Sequence, residues 1–87
     1  MKFYVYILFS FSKDAYYIGH TGDDLQEMID KHNTDNKNLK GHAGGWLLMH
    51  HEAFTSKADA IYRENQIKKW KGREQIEKLI GFVLPDL

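Results

Sequence analysis

Apolar and polar positions at the start of the chain alternate in two short runs. Phe3 to Ser10 reads Phe-Tyr-Val-Tyr-Ile-Leu-Phe-Ser, and Ala15 to Thr21 reads Ala-Tyr-Tyr-Ile-Gly-His-Thr. Between them lies the polar stretch Ser10-Phe11-Ser12-Lys13-Asp14. Aromatic and β-branched runs split by a polar turn predict a β-hairpin. Strand alternation places Tyr4 and Tyr6 on one face and Phe3, Val5 and Ile7 on the other, with Tyr17 across from the first run. The period then changes. Leu25, Met28, Ile29 and His32 follow i, i+3, i+4, i+7 and predict a first helix, with Asp23 as N-cap and Gln26 as its capping-box partner. Acidic residues near its start and Lys31 near its end suit the helix dipole.

Thr34 to Gly45 is polar, holds Gly41, Gly44 and Gly45, and reads as a loop long enough to contact a substrate. Trp46 to Phe54 returns to strand character. Ser56 with Asp59 opens a second helix running to about Trp70, where Ala60, Ile61 and Ile67 span one arc and Glu64 lies inside it. A carboxylate among apolar neighbours needs a partner or a role. Gly72 fits a helix end, and Ile76, Leu79 and Ile80 mark a short third helix from Arg73, closed by Gly81. The pattern predicts an α/β (α+β) fold: a small, mostly antiparallel three-stranded sheet flanked by three helices, in the order β-β-α-β-α-α.

Composition narrows the class. Eighty-seven residues, 43% hydrophobic and 14% aromatic, support one domain over 1–87 with one modest core. Its patterned part spans 3–80, and 81–87 form an apolar tail with Phe82, Val83, Leu84 and Leu87. The absence of cysteine excludes a disulfide framework and a zinc–thiolate site, and is compatible with a cytoplasmic setting. No apolar run approaches the roughly 20 residues that span a bilayer, and the start lacks a signal-peptide pattern. Twelve basic and twelve acidic side chains cancel, so no global field draws the domain to nucleic acid. The distribution is uneven: Lys57, Arg63, Lys68, Lys69, Lys71, Arg73 and Lys78 outnumber Asp59, Glu64, Glu74 and Glu77 over residues 57–78. Such a run is a solvated face or a weak phosphate-tracking edge, with Lys68, Lys69 and Lys71 as the nucleic-acid-binding candidates.

Tyr4-Val5-Tyr6 followed by Tyr17-Ile18-Gly19 resembles the paired motif of the GIY-YIG nuclease family. The resemblance continues through Thr21, Asp24-Leu25 and Lys31-His32-Asn33. Lys40-Gly41-His42-Ala43-Gly44-Gly45-Trp46 and Arg63-Glu64-Asn65-Gln66-Ile67-Lys68-Lys69-Trp70 complete it, in the manner of the small stand-alone branch of that family. What it implies is metal-dependent hydrolysis of phosphodiesters in DNA with one divalent ion, Mg²⁺ or Mn²⁺, and no organic cofactor. By position Tyr6 and Tyr17 would assist deprotonation of the attacking water, and Glu64 would bind the metal. A hard cation that keeps most of its waters needs few carboxylates. A phenol with an ordinary pKa near 10 serves as a base only if a cation lowers it.

One departure stands out. Where the family places a helix arginine, four residues before the histidine, this chain has Met28. Methionine neither donates a hydrogen bond nor carries charge, and losing one donor to a transition-state charge costs on the order of 10²–10³ in rate. The resemblance therefore implies an impaired endonuclease or, alternatively, an inactive nucleic-acid- or protein-binding module on the same fold. Tyr4 also stands where the family has a glycine, and no late asparagine is found in Arg73 to Gly81. His20, after the glycine of Tyr-Ile-Gly, and His32, one turn after Met28, are further candidates to orient water or phosphate. His42 is a weaker one. His50-His51-Glu52 has the letters of a metal cluster, but adjacent strand residues face opposite ways.

Overall fold

The computed structural model describes residues 2–34 and 45–81. Six elements follow in order: β1 (Phe3–Ser10), β2 (Ala15–Thr21), α1 (Leu25–Thr34), β3 (Trp46–Phe54), α2 (Lys57–Lys68) and α3 (Glu74–Ile80). The β-β-α-β-α-α order and the three-stranded antiparallel sheet are as the sequence predicts. The sheet order is β2-β1-β3, which puts the first strand in the middle and leaves β2 on an edge. The hairpin register pairs Tyr6 with Gly19 and Leu8 with Tyr17. Against β3, a register shift between Ile7 and Leu8 places an extra residue in β3.

A central strand covered on both faces should read as nearly continuous apolar sequence. Val5, Ile7, Leu8 and Phe9 are all buried. The modest single core expected from composition is in fact split by the sheet. Val5 and Ile7 pack with Ala60, Ile67 and Ile76 of α2 and α3 on one face. Tyr6 and Leu8 pack with Met28 of α1 on the other, flanked by Leu25, Ile29, Trp46 and Leu48. Burying a side chain of this size contributes roughly 1.5–3 kcal/mol, so each face carries appreciable stability.

The helix ends correct the sequence reading in detail. Asp24, not Asp23, caps α1: its carboxylate accepts from the backbone N–H groups of Gln26 and Glu27 at 3.1 and 3.3 Å. Asp23 instead pairs with Lys31 at 3.4 Å. α2 starts as predicted, with Ser56 Oγ accepting from Asp59 N at 3.2 Å, but ends at Lys68, short of Trp70. α3 begins at Glu74 and closes on Gly81, whose φ of 70° is left-handed. Arg73, just ahead of α3, reaches back to the hairpin turn. Its guanidinium binds the Asp14 carboxylate at 3.1 Å and lies 5.1 Å from the Tyr16 ring centre. The Gly41-to-Gly44 loop, His42 and the tail beyond Gly81 lie outside the described residues.

Candidate active site

Tyr6 is the anchor. It sits on the middle strand with its side chain on the α1 face, 4% exposed. Its pairing partner is Gly19, and the phenol occupies the space that a side chain there would fill: a Cβ on Gly19 would lie 2.6 Å from the Tyr6 hydroxyl oxygen. The glycine of Tyr-Ile-Gly is therefore a steric requirement for laying Tyr6 across the edge strand. Two residues earlier on the same face, Tyr17 stacks on Tyr6 with ring centres 6.2 Å apart and planes 18° apart. Tyr17 is 44% exposed, so one phenol of the pair is buried and the other faces solvent.

α1 brings His32 to this pair. Its Nε2 lies 3.2 Å from the Tyr6 hydroxyl, and its ring centre is 4.8 Å from that of Tyr17. With the imidazole proton on Nδ1, Nε2 accepts from the Tyr6 O–H. Trp46 at the start of β3 lies beyond, 6.2 Å from Tyr17 and 6.5 Å from His32, with the Lys13 ammonium over its ring. Asn33 fixes that position by bonding both backbone groups of Trp46, accepting from its N–H at 3.2 Å and donating to its carbonyl at 3.5 Å.

The opposite side of the edge strand supplies the charged half. His20 follows Gly19 and so faces the other way. Its Nδ1 is hydrogen-bonded to Glu64 Oε1, and Glu64 Oε2 pairs with Lys68 one turn along α2. Glu64 is 7% exposed. Burial raises its pKa, but the Lys68 and His20 contacts outweigh that and hold the carboxyl below the ordinary carboxylate value. The two halves sense each other. Burial first, then Tyr17 and the Glu64 charge, push the Tyr6 phenol up to about 12. This is the reverse of what a tyrosine base needs. In the protein alone Tyr6 is a neutral phenol at physiological pH.

The remaining candidates divide. Met28, 5% exposed, packs against Tyr6 and Leu8 one turn before His32, at the site but wholly within its apolar wall. Of the three lysines only Lys68 touches a site residue. Lys69 caps the end of α2 and Lys71 lies beyond it, both exposed and without an ion pair among the described residues. His50 and His51 diverge as strand geometry requires. His50 binds Glu52 at 2.8 Å, and His51 meets the edge of the Tyr4 ring. Glu52 in turn takes a two-pronged bond from Arg63 at 2.8 and 3.1 Å, which holds its carboxyl low and ties β3 to α2. A groove of about 480 Å³ between α2 and α3, lined by Arg63, Trp70, Gln75, Lys78 and Leu79, shares no residue with the tyrosine site. Both arginines, Arg63 and Arg73, are engaged in ion pairs away from Tyr6.

Sequence reasoning missed two parts of this site. The pairing of Lys68 with Glu64 was visible as a Glu–Lys spacing of four. The aromatic flank of Trp46 and Lys13 left no local signal, because it depends on the strand order.

Among the described residues no group of three or more His, Cys, Asp or Glu is placed to enclose a metal, and no helix is long and apolar enough to cross a membrane. The model of the GIY-YIG catalytic domain matches residues 2–78. Among solved structures, the chain is similar to the UPF0213 protein BH0048 from Bacillus halodurans, known from solution NMR. The two share 32% identity over 93% of this chain and 84% of the other, with a TM-score of 0.58. No curated protein matches significantly. With the tyrosine pair, the helix-borne glutamate and the fold all in the expected order, the chain belongs to the GIY-YIG family of nuclease domains.

Proposed function

We propose that this domain hydrolyses phosphodiester bonds in DNA with one divalent cation at Glu64, and that Met28 makes it slow. The observation that carries the reading is that two residue sets flank the edge strand β2 on its two sides, close enough that the Glu64 charge acts on Tyr6. Tyr6, Tyr17 and His32 come from the α1 side, and His20 and Glu64 from the α2 side. Glu64 is kept ionised in a largely buried place, which suits a hard cation that retains most of its waters and needs one carboxylate. Mg²⁺ and Mn²⁺ are the candidates. Such an ion, when bound, supplies charge at the phosphate and acidifies its water.

The chain's own residues have separable tasks. Glu64 holds the cation and His20 orients Glu64. Tyr17, half exposed, stands where an incoming water loses its proton. The buried Tyr6 and half-buried His32 form a hydrogen-bonded pair behind it that holds the exposed phenol in place. With its charge neutralised by a bound cation, Glu64 would no longer raise the Tyr6 pKa, the least of the three influences on it. At position 28 α1 offers the phosphate only a thioether.

Met28 also favours a second reading, a non-catalytic nucleic-acid- or protein-binding module on the same fold, since its packing with Leu25, Ile29 and Trp46 leaves no polar group at that position. Nicking of supercoiled plasmid in Mg²⁺ or Mn²⁺ separates the two. The parent should cleave slowly and Glu64→Gln not at all. Met28→Arg should gain about 10²-fold, the scale of one transition-state donor. Because a buried unpaired guanidinium costs several kcal/mol, folding is checked by circular dichroism in parallel. A folded Met28→Arg protein that cleaves no faster than the parent removes Met28 as the cause of slow cleavage, and no Glu64-dependent cleavage by either protein sinks the nuclease reading.

A further inference from the structure

Lys68 stands out among the cations of this chain. The two arginines are held by Glu52 and by Asp14 and Glu77. Lys13 lies over Trp46, one ring out from the tyrosine pair. Among the described lysines and arginines, Lys68 alone touches the carboxylate that the proposed reaction assigns to the metal. The two partners differ in exposure: the Glu64 side chain is 10% accessible and that of Lys68 51%. The carboxylate is fixed, with Oε1 held by His20, while the ammonium arrives from solvent on a flexible four-carbon stem.

A Glu–Lys pair spaced by four is by itself an ordinary helix contact worth a few tenths of a kcal/mol. Here the carboxylate faces into the site rather than out to water, and its charge reaches Tyr6. The charge balance then has a consequence. A divalent ion and an ammonium cannot both hold Glu64 Oε2 without strong mutual repulsion. Whichever enters displaces the other.

We propose that Lys68 is the exchangeable counter-cation of this site: it neutralises Glu64 when no divalent ion is bound, and on displacement turns to the DNA phosphate. It would thereby supply part of the positive charge that Met28 lacks. This rests on the reading of Glu64 as the metal ligand, and it assigns Lys68 a role apart from that of Lys69 and Lys71.

The test does not depend on cleavage. Mn²⁺ alone is titrated calorimetrically into the parent, Lys68→Met, Lys68→Arg and Glu64→Gln. The affinity of each for a short fluorescent DNA oligonucleotide is measured in Ca²⁺, with circular dichroism to confirm folding. Removing the competing ammonium should tighten Mn²⁺ binding about fivefold, the worth of a half-exposed ion pair. The same variant should bind DNA about fivefold more weakly and lose close to one phosphate contact from the salt slope. Lys68→Arg should restore DNA affinity to within about twofold. A purely structural Lys68 would move neither quantity, or both in the same direction, and either result overturns the proposal. If Glu64→Gln takes up Mn²⁺ as the parent does, or the parent takes up none, the metal reading falls and this inference with it. If Glu64→Gln loses Mn²⁺ while Lys68→Met matches the parent in both assays, only the role of Lys68 is lost.

Discussion

Replacing Gly19 by alanine tests the geometry of the site without any assumption about its chemistry. Gly19 has no positive φ, so alanine meets no backbone strain there. The obstacle is contact. The new methyl would sit 2.6 Å from the Tyr6 hydroxyl oxygen, 2.8 Å from the adjoining ring carbon and 3.1 Å from the Tyr17 ring. The Tyr6 phenol must therefore move, and two costs follow. Overpacking a filled site costs about 1–3 kcal/mol. Breaking the Tyr6–His32 hydrogen bond removes roughly 0.5–1.5 kcal/mol more. The expected loss is about 1.5–4.5 kcal/mol, read from urea unfolding as a lower midpoint at unchanged slope. Two controls isolate the cause. Gly22→Ala would bring its methyl to 3.2 Å from the Phe3 ring, a contact that small ring movement relieves, and should cost under about 1 kcal/mol. Gly81→Ala meets open space, but at a φ of 70° it should lose about 1 kcal/mol from backbone strain alone. If Gly19→Ala unfolds within about 0.5 kcal/mol of the parent, Tyr6 does not lie across the edge strand as described, and the assembly of the site is wrong.

Two further outcomes follow from the titrating groups. The Glu52 carboxyl is held low chiefly by the Arg63 hydrogen bonds, so its contribution to stability is complete above the unfolded value of 4.5 and is lost as pH falls through the lower folded value. Urea melts from pH 7 downward should show stability dropping in that acid range. Glu52→Gln should flatten the drop, and an equal acid slope in both proteins would remove this pair as its source. At the alkaline end, two of the five tyrosines, Tyr6 and Tyr16, are pushed up to about 12, chiefly by burial. Their contribution to stability is present below the ordinary phenol value of 10 and fades as pH rises through 12. Absorbance at 295 nm should show a late phase of two phenols, and Tyr6→Phe should remove one of them; a late phase of unchanged amplitude refutes the burial of Tyr6.

The features legible in the sequence are those set by short-range periodicity. Alternation sorted Tyr6 from Val5 correctly, and the 100° step of a helix put Glu64 on the buried arc with Ala60 and Ile67. Helix caps were read less well where two aspartates adjoin, because the choice between Asp23 and Asp24 turns on backbone angles that neither residue announces. The steric role of Gly19 was hidden for another reason. It exists only once the hairpin register pairs it with Tyr6, and that register depends on how the turn through Asp14 closes at a φ of 50°. The upward shift of Tyr6 was likewise invisible, since a phenol near a cationic site and a phenol buried beside a carboxylate are the same letter. His50-His51-Glu52 has the letters of a metal cluster, and alternation rightly discounted it; its use as a strut was not legible, because Arg63 arrives from α2 to claim the Glu52 carboxylate.

The clasp between Arg73 and the hairpin turn bears on how the domain comes apart. It joins residues 59 positions apart, and closing a loop of that length costs on the order of 3–4 kcal/mol of chain entropy. α3 spans seven residues and buries only Ile76. An isolated helix of that length is not stable in water. Its attachment therefore rests on Arg73 over Tyr16 and Phe9, the Tyr16–Glu77 hydrogen bond, and the packing of Ile76 with the half-buried Leu79 and Ile80 against the core. Amide protons of α3 should exchange through local opening well before those of β1, which sits between both other strands. Because Tyr6, Tyr17, His32 and Glu64 lie on elements outside α3, the domain can shed its last helix transiently while the tyrosine site stays assembled.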